Sequence, residues 1–223
     1  MCGYFVFTGL SIDMLRERYG AAIPGDEAGL DSIKAAGFYP SRGNTTTRVP
    51  VIFEEEGRRR LMFLRWDLIP SWWSKPASEK KFATYNARAA SIEEKATFRG
   101  AWRACRRCII PATGFFEWPS KTLMARDAPR VEHRIRVTGG SPIFSLAGLW
   151  DECEKGPLKG LRSCTIITTA ANSLMASIPH PRMPVILPLE DEAAWLSTDT
   201  PAGEAHKLLR RFPAERMEIV SGA

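Results

Sequence analysis

The chain has 223 residues, 44% of them hydrophobic, and 31 Lys and Arg against 25 Asp and Glu give a formal charge of +6. That length supports one sizeable core, read here as a single domain over residues 1–223, and the mildly basic balance is compatible with a polyanionic partner without requiring one. No run approaches the ~18 apolar residues of a membrane span, and five cysteines in a chain this large form no even disulfide framework, which favours reduced thiols in a cytoplasmic setting.

In chain order, the first β-type run covers residues 4–7, and Ile12, Leu15 and Tyr19 then share one helical face. Residues 37–50, rich in Gly, Pro and Thr, read as a surface loop before β-type runs at 49–53 and 61–66. Ser91-Ile-Glu-Glu94 has the form of a capping box that opens a helix. Runs at 108–110, 115–118, 133–137, 143–150, 164–168 and 185–187 are β-branched or aromatic, and most are bounded by Gly or Pro. A charged stretch at 120–130 reads as a loop, and helices are expected at 171–177, 191–196 and 204–211. Strands and helices do not alternate regularly, so the fold class is α+β rather than a doubly wound sheet.

Four short stretches place an ionisable or polar residue in an apolar, loop-bounded setting: Met1-Cys2-Gly3, Tyr85-Asn86-Ala87-Arg88, the segment from Gly114 to Trp118, and Pro179-His180-Pro181-Arg182. Removal of Met1 would leave Cys2 with an α-amine and a thiol on one α-carbon. Glu117 is either the solvent-facing member of an alternating strand or a carboxyl in an apolar pocket, where burial raises its pKa into the range of proton transfer. Flanking prolines restrict the backbone around His180, whereas His133 reads as part of an edge strand and His206 as part of a solvated helix. Adjacent Trp72 and Trp73 cannot both enter one core from a regular strand. At least one is expected outside, where an indole near Lys75, Lys80, Lys81 and Arg88 could stack on a base. Cys105-Arg-Arg-Cys108 has half the spacing of a zinc site with no second half, so no metal and no cofactor is expected.

Taken together, MCG, RWDLIPSWW, YNARAAS, RRCIIPATGFFEW, PIFSLAGLW and TIITTAANSLMASIPHPRMPVIL resemble, in this order, the SOS response-associated peptidase (SRAP) family, also described as abasic-site processing proteins. The resemblance spans residues 1 to about 196. It implies a bifurcated, mostly antiparallel, barrel-like β-sheet flanked by helices, and a groove for single-stranded DNA containing abasic sites, with no membrane and no obligate protein partner. It also implies active positions at Cys2, Asn86, Glu117 and His180, with phosphate contacts at Arg88 and Arg182. The chain departs from the family wording at Tyr4, where an arginine is usual, in the segment 38–44, at Ala90 and at the C-terminus. Three activities follow as expectations: covalent capture of an abasic site by the Cys2 aminothiol with abasic lyase chemistry as a side reaction, a cysteine (auto)peptidase using Cys2, and a non-covalent single-strand binder. Only the first requires a free amine on Cys2.

Overall fold

A computed structural model describes residues 3–8, 11–23, 36–41, 46–120, 123 and 131–220. Its strands form two sheets. The first is antiparallel and combines β1 (Phe5–Phe7), β2 (Ala36–Phe38), β7 (Gly114–Glu117), β8 (His133–Val137) and β13 (Met217–Val220) in the order β13-β8-β7-β1-β2. The second contains β3 (Arg48–Glu55), β4 (Arg58–Trp66), β5 (Asn86–Arg88), β6 (Arg107–Ala112), β9 (Phe144–Glu152), β10 (Arg162–Ala170), β11 (Arg182–Pro184) and β12 (Ile186–Leu187).

The β3–β4 hairpin turns on Glu56 and Gly57, both at positive φ (54° and 70°), the backbone that a tight two-residue hairpin needs to match strand twist. From β4 the pairing continues through β3, β6 and β9 to β10. Since β10 also pairs with β4, these five strands close on themselves as a barrel. Closure buries β9 along its length, all of it except Glu152, which is why residues 143–150 read as a continuous apolar run rather than an alternating one.

Strand β10 changes partners partway along. Residues 162–166 pair antiparallel with β9, while Ser163 and Cys164 pair parallel with β4. Farther on, Ile166 to Thr168 pair parallel with β5, and Thr168 to Ala170 pair antiparallel with β11. The sheet divides at this point: the first half of β10 closes the barrel and the second half carries two short strands away from it.

Helices cover the sheets. In α1 (Ile12–Tyr19) the Ser11 hydroxyl accepts from Met14 N–H, and Gly20 ends the helix at φ 58°. Helix α2 (Ala96–Arg103) buries Phe98, Ala101 and Trp102, and α3 (Ser173–Ser177) is capped by Asn172, whose side chain accepts from Met175 N–H. Helix α4 (Leu189–Leu196) is tied to β6 from both sides: Trp195 Nε1 donates to Cys108 O (2.8 Å) and Arg107 Nε donates to Trp195 O (2.8 Å). The last helix is α5 (Ala202–Lys207).

The α+β class and the mostly antiparallel, divided sheet agree with the sequence reading, and several details correct it. Ser91 does not open a helix: its carbonyl accepts from Glu94 and Lys95 N–H in a turn, and α2 begins at Ala96. Strand β8 is not an edge strand, because β7 and β13 pair with its two sides. His206 is half-buried, with Nε2 3.3 Å from Ala89 O and its ring edge-on to Trp102. Strands β2, β5, β11 and β13 were not anticipated. Most of the 120–130 stretch and part of the 37–50 stretch lie outside the described residues.

Gly148 lies where barrel strands converge. A Cβ placed there would come within 2.7 Å of Thr165 O, 2.8 Å of Ile110 Cδ1 and 2.9 Å of Cys108 Sγ. Gly148→Ala should therefore lower unfolding stability by about 1–3 kcal/mol, the scale of overpacking a filled core. The urea midpoint should fall with the slope unchanged; an unshifted midpoint would mean that β9 separates from its neighbours without cost.

Candidate active site

Glu117 ends β7 and is 2% exposed, while His180 is 5% exposed in the loop before β11. His180 Nε2 and Glu117 Oε2 are 3.1 Å apart. The loop is held at several points: Ser120 N–H donates to Pro179 O (3.0 Å), His180 N–H to Met175 O (3.3 Å) and Ala171 N–H to Pro181 O (3.2 Å). The first of these bonds connects the exit of β7 to the histidine loop, so the two side chains are positioned by one framework.

The hydrogen-bond partners assign the proton. His180 Nδ1 lies 2.6 Å from the carbonyl of Arg182, and a carbonyl only accepts, so Nδ1 carries hydrogen. In the neutral ring Nε2 is then an acceptor facing the carboxyl. Burial raises the pKa of Glu117 from 4.5 to about 7 and lowers that of His180 below 6.5. Both shifts favour uncharged groups, as expected where desolvation dominates. A carboxyl raised to about 7 can take up or release a proton near neutrality, with Oε2 facing Nε2. Glu117 is the buried carboxyl of the two sequence readings, not the solvent-facing one.

Cys2 lies outside the described residues, but its neighbour Gly3 does not. Phe116 N–H donates to Tyr4 O (2.9 Å), so the β1–β7 ladder extends past β1 and the chain continues through Gly3 toward the Glu117 end of β7. Among the other thiols, Cys108, Cys153 and Cys164 are fully buried, and burial raises the pKa of Cys108 and of Cys164. Both thus remain as unreactive thiols near neutrality.

Asn86 and Arg88 lie on β5 on either side of fully buried Ala87. By alternation they project to the same side, with Asn86 half-buried and Arg88 exposed. The register sets Arg88 level with Thr168 of β10. On the other edge of β10, Arg182 Nε donates to Thr168 Oγ1 (3.1 Å) and its Nη2 donates to Thr168 O (2.7 Å) and also to Oγ1. Burial lowers the pKa of Arg182, and the charge of Arg88 adds to the shift. Two guanidinium groups thus converge across β10, and among the described residues neither forms an ion pair with an acid.

The tryptophans separate. Trp72 is 45% exposed and donates to Ala96 O (3.2 Å), whereas Trp73, 9% exposed, packs with Ile69 and Cys153 in a small satellite core. Lys80, read from sequence as a surface cation, is buried: it donates to Asp67 Oδ1 (3.0 Å), Thr84 Oγ1 (2.8 Å) and Phe82 O (2.6 Å). Asp67 also accepts from Thr84 N–H and Thr84 Oγ1, both at 2.8 Å. This buried group holds the segment that leads into β5 and so fixes where Asn86 and Arg88 emerge. Sequence reading missed both Asp67 and Thr168. A Thr in an apolar strand carries no signal of its own, but Asp67 inside RWDLIP, an acid within an apolar run, was such a signal.

A raised Glu117 pKa makes stability depend on pH. The folded chain keeps a proton that the unfolded chain releases above about 4.5, so the stability tied to Glu117 is complete below that pH and is lost as pH rises through about 7. In urea titrations at pH 5 and pH 8, Glu117→Gln should lose less stability, or gain more, on going to pH 8 than wild type does. His180, with its lowered pKa, contributes in the opposite direction in both proteins. Parallel pH profiles would mean that Glu117 titrates normally.

Comparison with known proteins places this geometry. The family model described as SOS response associated peptidase (SRAP) matches residues 1–221. The chain is 34% identical over 223 residues to the Abasic site processing protein YoqW of Bacillus subtilis, covering 98% of this chain and 90% of that one. It is 34% identical over 173 residues to the Abasic site processing protein HMCES of Xenopus tropicalis, covering 70% of this chain and 50% of that one. The crystal structure of a protein from Bacteroides thetaiotaomicron superposes with a TM-score of 0.82 at 31% identity, covering 98% of this chain and 90% of that one. The chain belongs to the SOS response associated peptidase (SRAP) family.

Proposed function

We propose that this protein processes abasic sites in DNA as part of DNA damage handling, and that it does so by covalent capture through Cys2 on a single strand. The relatives named above support the first part. The observation that carries the second is the buried Glu117–His180 pair, with Nε2 and Oε2 3.1 Å apart, at the end of β7 toward which the N-terminal segment runs.

An abasic sugar opens to an aldehyde. Once Met1 is removed, the Cys2 amine adds to the aldehyde carbon to give a carbinolamine, which takes up a proton and expels water as the C=N bond forms. The Cys2 sulfur then bonds to the imine carbon while its proton passes to nitrogen, closing a five-membered thiazolidine ring. The net change is loss of one water. Because amine and thiol share one α-carbon, ring closure is intramolecular and gains from high effective molarity. Departure of hydroxide requires an acid, and sugar opening requires proton transfer. Glu117, with a pKa near 7, can give or take that proton at neutral pH, and His180 holds it in place. In this reading Asn86 orients the amine, Arg88 and Arg182 bind backbone phosphates on either side of the lesion, and Trp72 stacks on a base.

A cysteine peptidase would need His180 to take the thiol proton. Both ring nitrogens are engaged, Nδ1 with Arg182 O and Nε2 with Glu117, so no ring lone pair faces a thiol while these contacts hold. This favours the aldehyde chemistry.

The deciding experiment is intact-protein mass spectrometry after mixing with single-stranded DNA that contains one abasic site. Chains lacking Met1 should gain the mass of the oligonucleotide minus one water, and chains retaining Met1 should form no stable adduct. An adduct on the Met1-retaining chain would overturn the aminothiol mechanism. Glu117→Gln should slow adduct formation by roughly 10²–10⁴-fold, the usual contribution of a positioned acid or base, with little change in binding. Arg88→Ala or Arg182→Ala should flatten the log–log salt dependence of binding by ~0.7 each, the single-strand value per phosphate contact. Unchanged slopes would remove both arginines from the DNA path.

A further inference from the structure

The five-stranded sheet carries a row of side chains that the chemistry above leaves unused. Phe5 is level with Phe38 on one side and Phe115 on the other. One residue earlier, Tyr4 is therefore level with Tyr39 and Phe116, and Phe116 in turn pairs with Arg134 of β8. The row reads Tyr39, Tyr4, Phe116, Arg134 across four strands. Glu117 is buried on the core side, so by alternation this row stands on the opposite face.

The three rings form a pile. Tyr4 and Tyr39 have centroids 4.3 Å apart with planes 4° from parallel, and Tyr4 and Phe116 have centroids 4.5 Å apart at 24°. Two near-parallel rings at such distances cannot share one face of Tyr4 without overlapping each other, so Tyr4 lies between them and Tyr39 ends the pile. The arrangement is built into the backbone: a Cβ on Gly37 would fall 2.1 Å from Tyr4 Cε2, so glycine there leaves room for the ring. Although stacked on one side, Tyr39 is 56% exposed, and it presents an aromatic surface to solvent at the end of a stack that holds it rigid. Preorganisation of this kind lowers the entropy cost of binding a second flat group.

Location and charge indicate which flat group it receives. The pile stands at the end of the sheet where β1 begins and β7 and β2 end, beside Glu117. Tyr4 is two residues from Cys2, a span of at most about 7 Å of extended chain. Beyond Phe116, the Arg134 side chain lies over Gly114, its Nε 3.2 Å from where a Cβ would stand, and Nε has no hydrogen-bond partner among the described residues. Aromatic faces next to the half-buried Arg134 guanidinium suit a strand of alternating bases and phosphates, whereas an apolar peptide offers that charge no partner.

We propose that Tyr39 is the stacking platform for the unpaired base next to the abasic site, received as the strand turns over the end of the sheet; this rests on the abasic-site reading above. Such a contact is tolerant of sequence and adds affinity without displacing counterions.

The test uses single-stranded DNA in which a tetrahydrofuran site, which cannot form an imine, is flanked by 2-aminopurine. Wild type and Tyr39→Phe should bind alike and quench the 2-aminopurine. Tyr39→Ala should bind about 5- to 150-fold more weakly, lose the quenching, and keep the wild-type salt slope. An oligonucleotide lacking the flanking bases should bind wild type and Tyr39→Ala equally. Wild-type affinity and quenching in Tyr39→Ala would overturn the platform. The proposed function is read separately, from the adduct yield of wild type on true abasic DNA. If wild type crosslinks normally but Tyr39→Ala shows no binding defect, only the stacking proposal fails; if wild type neither binds nor crosslinks single strands, both fail.

Discussion

The exchange of partners along β10 is the constraint on which the rest of the arrangement depends. A strand hydrogen-bonded to β9 and β4 over its first half, and to β5 and β11 over its second, has to serve two structures at once. The barrel fixes its register, because residues 163–168 are buried on both faces and slipping by one would move each side chain into a space shaped for its neighbour. That fixed register in turn sets Arg88 level with Thr168 and Arg182 level with Ala170. Two like charges would not gather across one strand without compensation. Thr168 provides part of it by accepting from Arg182 at both hydroxyl and carbonyl, and an anion between the guanidinium groups would provide the remainder.

The five-stranded sheet contributes the complementary chemistry. Desolvation acts on Glu117 and His180 in opposite directions on the pH scale, raising one pKa and lowering the other, and so favours the uncharged form of each. A carboxyl in water would be fully ionised near neutrality. Here the hydrogen bond from Nδ1 to the Arg182 carbonyl fixes the tautomer, so that Nε2 faces the carboxyl as an acceptor. Arg182 thus links the two sheets' contributions, its carbonyl orienting the histidine while its guanidinium is held on Thr168 of β10.

Much of this could be read from sequence because the relevant signals were local. Prolines around His180, glutamate between Phe116 and Trp118, and adjacent tryptophans in a Pro-bounded loop each violate an expected pattern in a short stretch. What escaped was set by long-range pairing. Strands β2, β5 and β11 have three residues each, too few for periodicity, and β5 and β11 exist because β10 has free edges to offer. Lys80 looked like a surface cation because Asp67, thirteen residues earlier, is its partner only in the folded chain. The apparent capping box at Ser91 closes a turn instead, its carbonyl accepting from Glu94 and Lys95 N–H before α2 begins at Ala96.

Tyr4 and Tyr39 join these threads. In the sequence they were separate departures from the family wording, one replacing a usual arginine and the other within an altered loop. In the fold they are cross-strand neighbours with rings 4.3 Å apart, so the two changes act as one. Replacing a cation by a stacked ring exchanges an interaction that weakens with salt for one that depends on contact area and ring geometry. Gly37 belongs to the same unit, since any larger residue there would displace Tyr4 and with it the support beneath Tyr39. The stack needs three positions to agree, Gly37, Tyr4 and Tyr39, so a bulkier residue at the first or the loss of either ring would undo it.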